Sequence, residues 1–150
     1  MYIIFSMLLL QMCLRGNMKI INNEEYFCLF IHLMKGENDD IINWPFEGKV
    51  FITVKNRDTN LLHREDFHDT IVTTTESEAL QRPSRYDRNE VGIGHADFIR
   101  INALYSGGFV VRNSPITSKD YHLNDHGKPH ISSDDILVIK VNVVCTGNDE

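Results

Sequence analysis

The alternation of apolar and polar residues along the chain predicts mostly β-strands. Residues 50–54 place aliphatic side chains on one face and Phe51 and Thr53 on the other, which is the period of a strand covered mainly on one side. Residues 27–34 form a nearly continuous apolar run, which is typical of a central strand. Residues 136–144 alternate again, with an aliphatic residue at every second position. The pattern therefore predicts strands near both ends of the chain.

Two further segments complete the predicted order of elements. Residues 71–75 are a β-branched run, which favours an edge strand. Residues 97–105 change to a helical period, with apolar side chains sharing one face and Asp97 suited to cap the helix. The sequence therefore predicts an all-β fold, an antiparallel β-sandwich with one short helix near 97–105.

The step Trp44-Pro45-Phe46 directly precedes the strand at 50–54. Pro45 has no amide hydrogen to donate to a ladder, so it belongs at the start of a strand rather than inside it. Trp44 and Phe46 flank this stiff corner, and we expect them to close one end of the core.

The composition fits one globular domain, with 42% hydrophobic and 24% charged residues in a chain of 150. The formal net charge of −6 disfavours a general nucleic-acid or anionic-membrane binder, because such binding depends on a basic surface. The three cysteines are odd in number and far apart, which favours reduced thiols in a cytoplasmic protein.

The first residues allow three interpretations. The apolar run from Tyr2 to Leu10 has the length of a signal peptide, but it lacks a basic start and a convincing cleavage site. It is also shorter than the roughly 20 apolar residues that span a bilayer, so we expect no membrane insertion. A weak signal peptide, a buried strand and a leader of uncertain status at residues 1–9 remain possible.

Candidate catalytic and metal-binding motifs are weak. His122, His126 and His130 are spaced four apart, but Gly127 and Pro129 disfavour the helix that would bring them together on a metal. Acidic pairs occur at strand ends without calcium-loop spacing, and the sequence has no GxSxG, HExxH or phosphate-binding loop. We therefore predict no catalytic residues, no metal and no cofactor.

Several short motifs follow one another along the chain: Gly36-Glu37-x-Asp39, Trp44-Pro45-Phe46, Gln81-Arg82-Pro83, Asn89, Gly92-x-Gly94 and Asp134-Asp135. Taken together and in this order, they resemble the TRAF-C domain, the MATH fold of the tumour necrosis factor receptor-associated factors. The resemblance covers residues 10–145 as a partial domain, with a probable insertion at 105–129 and a tail at 146–150. It looks closest to the branch that joins interleukin-1/Toll-type and CD40-type signalling. Residues 1–9 would then replace the first strands of the family's eight-stranded sandwich.

The resemblance implies a peptide-binding site at one edge of the sandwich. The family binds a short extended segment of a receptor or adaptor tail by adding it as a strand. Carried over position by position, the augmented edge would be Glu78 and Ala79, and the pocket would be built from Gly92, Ile93 and His95. Relatives in this branch usually have aromatic residues where Ile93 and His95 stand, so we expect a smaller pocket, partly cationic at low pH.

The implied function is that of a non-enzymatic adaptor module in cytoplasmic immune or stress signalling of the NF-κB type. Its partners would be the cytoplasmic tails of TNF-receptor or interleukin-1/Toll-type receptors, their adaptors, and other TRAF chains. One alternative is the MATH module of a meprin-like metalloprotease, which the dispersed cysteines and the lack of Asn-x-Ser/Thr acceptor sites disfavour. The other alternative is a truncated copy that binds no peptide.

Overall fold

The computed structural model of the chain describes residues 2–7, 10–73, 77–112 and 135–146. These ranges contain nine strands and one α-helix. In chain order they are β1 (Tyr2–Met7), β2 (Leu10–Ile21), β3 (Glu24–Met34), β4 (Gly48–Val54), β5 (Phe67–Val72), β6 (Ile93–Arg100), α1 (Ile101–Ser106), β7 (Val110–Arg112), β8 (Asp135–Leu137) and β9 (Ile139–Cys145). Single 3-10 turns lie at Leu61–His63 and Glu78–Leu80.

The strands form two antiparallel sheets and a separate strand pair. One sheet has the order β1-β2-β3-β6, the other has the order β5-β4-β9, and β7 pairs with β8. Residues 2–7, one of whose interpretations was a strand, pair along β2 from Tyr2–Arg15 to Met7–Leu10. The β2–β3 hairpin closes through Asn22 and Asn23, whose φ angles of 51° and 63° suit the two-residue turn that follows the twist of the strands.

The predicted strand patterns are confirmed in the core. Val50, Ile52 and Val54 of β4 are at most 1% exposed, as the alternation predicts. The central strand β3 is buried on both faces, because Leu29 and its alternate neighbours are buried and so is His32. The inward positions of β9 also pack against this core. Burial of these aliphatic side chains is the main favourable contribution to folding.

The helix predicted at 97–105 begins at Ile101 instead. Residues 97–100 belong to β6, and Ile99 and Arg100 pair with residues of β3. Asp97 is therefore not a helix cap; the position before α1 is Arg100, which makes no side-chain capping bond. Phe98 packs edge-to-face on Phe67 of the other sheet, with ring centroids 5.3 Å apart. A tertiary contact across the sandwich has overridden a local helical period.

Other predicted boundaries also shift. The β-branched run yields the edge strand β5, but it ends at Val72, and residues 74–76 lie outside the described residues. The strand predicted at 136–144 is divided at Val138, whose carbonyl accepts a hydrogen bond from the Lys55 amide at 2.9 Å. Most of the insertion predicted at 105–129 lies outside the described residues, and so do His122, His126 and His130.

Gly94 sets how closely β6 approaches β3. A Cβ atom added at this position would lie 2.0 Å from the Leu29 carbonyl oxygen and 2.8 Å from the Phe30 Cα. Both are backbone atoms of a central strand and cannot move aside cheaply. Position 94 therefore accepts only glycine at this spacing of the two strands.

We predict that Gly94→Ala lowers the free energy of unfolding by about 2–3 kcal/mol, because the strands must separate or distort to admit the methyl group. Gly36→Ala is the matched control, since its added Cβ would meet the nearest atom, Asp39 Oδ1, at an ordinary 3.4 Å. Urea denaturation of both variants measures the difference. Equal stability of the two would contradict the close-approach argument.

Candidate functional site

The segment before β6 extends the pairing of β3. The Asn89 amide donates to the Leu33 carbonyl at 2.8 Å, and the Lys35 amide donates to the Asp87 carbonyl at 2.8 Å. Met34 and Arg88 form an isolated antiparallel bridge between these bonds. The chain is thus already held against β3 several residues before β6 begins.

The Asn89 side chain connects this segment to the 3-10 turn at Glu78–Leu80. Its amide group donates to the Ala79 carbonyl at 3.0 Å and to the Gln81 carbonyl at 2.7 Å. Its backbone carbonyl is 2.9 Å from Nδ1 of the buried His32, which therefore carries the proton and donates. One asparagine thus fixes the turn, the start of β6 and a core histidine relative to one another.

The Trp-Pro-Phe corner is attached to the same turn. Phe46, which is 2% exposed, donates its amide to the Leu80 carbonyl at 2.8 Å. The Trp44 indole donates to the Asp39 carbonyl at 2.9 Å, and Arg82 binds Asp40 at 2.6 Å. The predicted role of the corner in closing the core is confirmed, since Phe46 is a core residue and Trp44 packs against the core.

The structure does not place Glu78 and Ala79 on an extended edge. They lie in the 3-10 turn, where Ala79 is 1% exposed and its amide donates to the Ser77 hydroxyl at 3.2 Å. A buried residue whose amide and carbonyl are both already bonded offers no ladder to an incoming strand. Glu78 and Ala79 therefore lie in a turn and not on an extended strand, and their role as the augmented edge stays a prediction.

Of the three predicted pocket residues, Gly92 directly precedes β6, and Ile93 and His95 lie at its start. Ile93 is paired opposite Ile31, and His95 is paired opposite Leu29, so both side chains share the core-facing side of the sheet. Gly92 precedes them and covers the His32 ring, because a Cβ there would lie 2.8 Å from Nε2. Within the described residues, β6 is hydrogen-bonded to β3 alone and forms an edge of its sheet.

Asp69 of β5 is a member of this site that the sequence reasoning missed. Its carboxylate Oδ2 lies 3.4 Å from His95 Nε2, and both side chains are partly exposed, at 30% and 43%. The residues of β5 opposite the buried positions of β4 are Phe67, Asp69 and Ile71. The sequence did offer a signal, because Asp69 is a carboxylate between Phe67 and Ile71 at alternate, core-facing positions of the strand.

His32 lies beneath the site as a neutral imidazole. Burial lowers its pKa, with smaller effects from Arg88 and Arg15, while the hydrogen bond to Asn89 opposes the change. Its Nε2 is buried without a hydrogen-bond partner in the described structure. A proton on that atom would have no acceptor, which agrees with the direction of the pKa change.

The described residues contain no group of three or more His, Cys, Asp or Glu side chains that could hold a metal ion. They also contain no helix that is long and apolar enough to cross a membrane. Burial raises the pKa of the Cys28 thiol, which donates to the Ala96 carbonyl at 2.9 Å, so this cysteine packs as a thiol.

The model of the family described as TRAF/meprin, MATH domain matches residues 10–117. The chain belongs to this MATH family. Among curated proteins, it is 30% identical to TNF receptor-associated factor 6 of Mus musculus over 103 residues, which are 67% of this chain and 19% of that protein. It is 28% identical to the Homo sapiens protein of the same name over 103 residues, with the same shares. The chain thus spans about a fifth of the length of these relatives.

The MATH fold is also found by comparison with solved structures. Notothenia coriiceps TRAF5 superposes with a TM-score of 0.62 at 17% identity, over 94% of this chain and 58% of that chain. The predicted family resemblance and the predicted antiparallel β-sandwich with one short helix are both confirmed.

We predict that Asn89→Ala destabilises the MATH sandwich by about 1–3 kcal/mol, because it leaves the buried Ala79 carbonyl without its donor. Asn142→Ala, an exposed change on β9, is the control and should cost less than about 0.5 kcal/mol. Thermal denaturation of both variants tests the difference. An Asn89→Ala protein as stable as the control would show that the Asn89 side-chain hydrogen bonds are dispensable.

We also predict that the MATH sandwich loses stability as the pH falls below about 6.5, the ordinary pKa of histidine in an unfolded chain. His32 has a lowered pKa in the folded state. The unfolded chain therefore binds the extra proton first, and the stability present above pH 6.5 is lost as the pH falls through the folded pKa. His32→Gln should flatten this part of the profile, whereas His63→Gln, at an exposed site, should not. Urea midpoints between pH 7.5 and 5 measure the slopes, and an unchanged slope in His32→Gln would contradict the assignment.

Proposed function

We propose that this chain is a non-enzymatic adaptor module that binds short extended peptides as an added strand along β6. The peptides would come from the cytoplasmic tails of TNF-receptor or interleukin-1/Toll-type receptors and from their adaptors. The protein would act in the cytoplasm, within immune or stress signalling, together with other TRAF chains. The observation that carries the proposal is that β6 is an edge strand with Ile93 and His95 along it.

The position of β6 supports strand addition. An edge strand presents a row of backbone amides and carbonyls, and an extended peptide can pair with them while its side chains enter neighbouring pockets. The site is held by backbone and amide hydrogen bonds of Asn89 to β3 and to the 3-10 turn. Such a preformed edge reduces the entropy that binding must overcome.

Identity to the TNF receptor-associated factors supports the adaptor over the meprin-like alternative. The similar proteins found among curated sequences are named TNF receptor-associated factor 6, although they share at most 30% identity with this chain. The remaining alternative, a copy that binds no peptide, is separated from the proposal by a binding experiment.

We predict saturable binding of labelled Pro-x-Glu-x-x-aromatic and Pro-x-Glu-x-x-acidic peptides with a dissociation constant in the micromolar range, about −8 kcal/mol. Ile93→Ala and His95→Ala should each weaken binding by roughly 3- to 30-fold, the effect of losing 0.7–2 kcal/mol at an interface. Val144→Ala, which truncates a half-exposed valine on the β9 edge, is the matched control. Fluorescence anisotropy gives the constants.

Hydrogen exchange of the bound protein tests the mode of binding. Strand addition should slow exchange of outward-facing amides in β6 while those of β9 keep their rates. Saturable binding without protection of β6 would place the peptide elsewhere. A folded protein that binds none of these peptides would favour the non-binding alternative and refute the proposal.

A further inference from the structure

At the candidate site, an edge strand of one sheet lies next to an edge strand of the other sheet. In the part of the chain that the structure describes, β6 is the last strand of its sheet and β5 is the last strand of the other sheet. The two edges are joined by the Phe67–Phe98 ring contact at 5.3 Å and by the approach of Asp69 to His95 at 3.4 Å. A strand added to β6 would therefore run beside Asp69 as well as beside β6.

The Asp69–His95 pair has unused hydrogen-bonding capacity. Asp69 Oδ1 accepts the Thr70 amide at 2.8 Å, which orients the carboxylate so that Oδ2 faces His95. The 3.4 Å separation of Oδ2 from Nε2 is longer than an ordinary hydrogen bond, and Nε2 has no hydrogen-bond partner within the described structure. Oδ2 can therefore accept a hydrogen bond from a ligand.

The alternation of strands decides which ligand side chain reaches this carboxylate. In a paired strand, the residue opposite His95 shares its face, and so does the residue opposite Ile93, two positions away. One ligand residue would thus lie against the aliphatic Ile93 and the other against the Asp69–His95 pair. An acidic side chain there would be repelled by Asp69, whereas Lys or Arg would form a charge-assisted hydrogen bond.

We propose that Asp69 is a specificity determinant that makes this edge select peptides with an apolar residue and a basic residue two positions apart. The inference rests on the proposed function, because it assumes a strand added to β6. It departs from the acidic and aromatic peptides expected from the resemblance alone. The preference for a basic residue would come from the Asp69 carboxylate, which belongs to the opposite sheet.

The test is a scan of one extended peptide, Pro-x-Glu flanked by alanines, in which each alanine is replaced in turn by Lys, Gln or Glu. We expect one position at which Lys binds roughly tenfold tighter than Gln, and Glu binds more weakly than Gln, as one charged hydrogen bond would give. In Asp69→Asn, which keeps an acceptor for the Thr70 amide, the Lys advantage should fall below about twofold. Glu47→Gln removes the same formal charge at an exposed position and should keep the advantage.

The possible outcomes separate the two proposals. The peptides could bind and protect β6 amides while no position of the scan favours Lys over Gln. That result would overturn the role of Asp69 and leave the adaptor function standing. A Lys advantage that survives in Asp69→Asn also overturns it, because the cation would then contact another group. If no peptide in the scan binds the folded chain, the specificity inference and the proposed function fail together.

Discussion

The close approach of β6 to β3 is the constraint on which the candidate site depends. The Gly94 backbone lies so near to the Leu29 carbonyl that a methyl group would be placed 2.0 Å from its oxygen. This spacing allows Ile93 and His95 to pair directly with core residues of β3 while remaining at the edge of the sheet. A larger residue at 94 would push the strand outward and move His95 away from Asp69 of β5. The glycine thus sets the position of the pocket as well as the packing of the sheet.

A second set of contacts orients this edge with respect to the rest of the sandwich. The Asn89 side-chain amide donates to the Ala79 carbonyl in the 3-10 turn at Glu78–Leu80. The Leu80 carbonyl of the same turn accepts a hydrogen bond from the Phe46 amide of the Trp-Pro-Phe corner. Residues far apart in the sequence, which together resemble the family, therefore meet in one hydrogen-bonded layer at one end of the core. Their shared role is structural, because they hold the start of β6 in place. The side chains that would meet a ligand come afterwards, at 93 and 95.

The sequence predicted those features that depend on local periodicity. The burial of alternate residues in β4 and of both faces in β3 follows from side-chain patterns that no distant contact needs to correct. The end of β6 was predicted as helix because apolar spacing near Phe98 fits both a helix and a strand, and only pairing with β3 distinguishes them. Asp69 was missed for a similar reason, since its contact with His95 joins different sheets. The turn conformation of Glu78 and Ala79 was not foreseen, because a resemblance carries over positions and not backbone conformation.

The two strand edges on this side of the sandwich differ in how they are protected. Natural sheets block unwanted pairing by inward-pointing charges, lysines or prolines on their edge strands. β5 carries such an inward charge, Asp69, opposite the buried Ile52, which disfavours addition of a strand to β5. β6 carries no lysine or proline, and its first four residues, Ile93 to Ala96, carry no carboxylate, which leaves its backbone edge open to pairing. The same carboxylate that protects one edge therefore lies beside the other, where it can contribute to the choice of partner without blocking access.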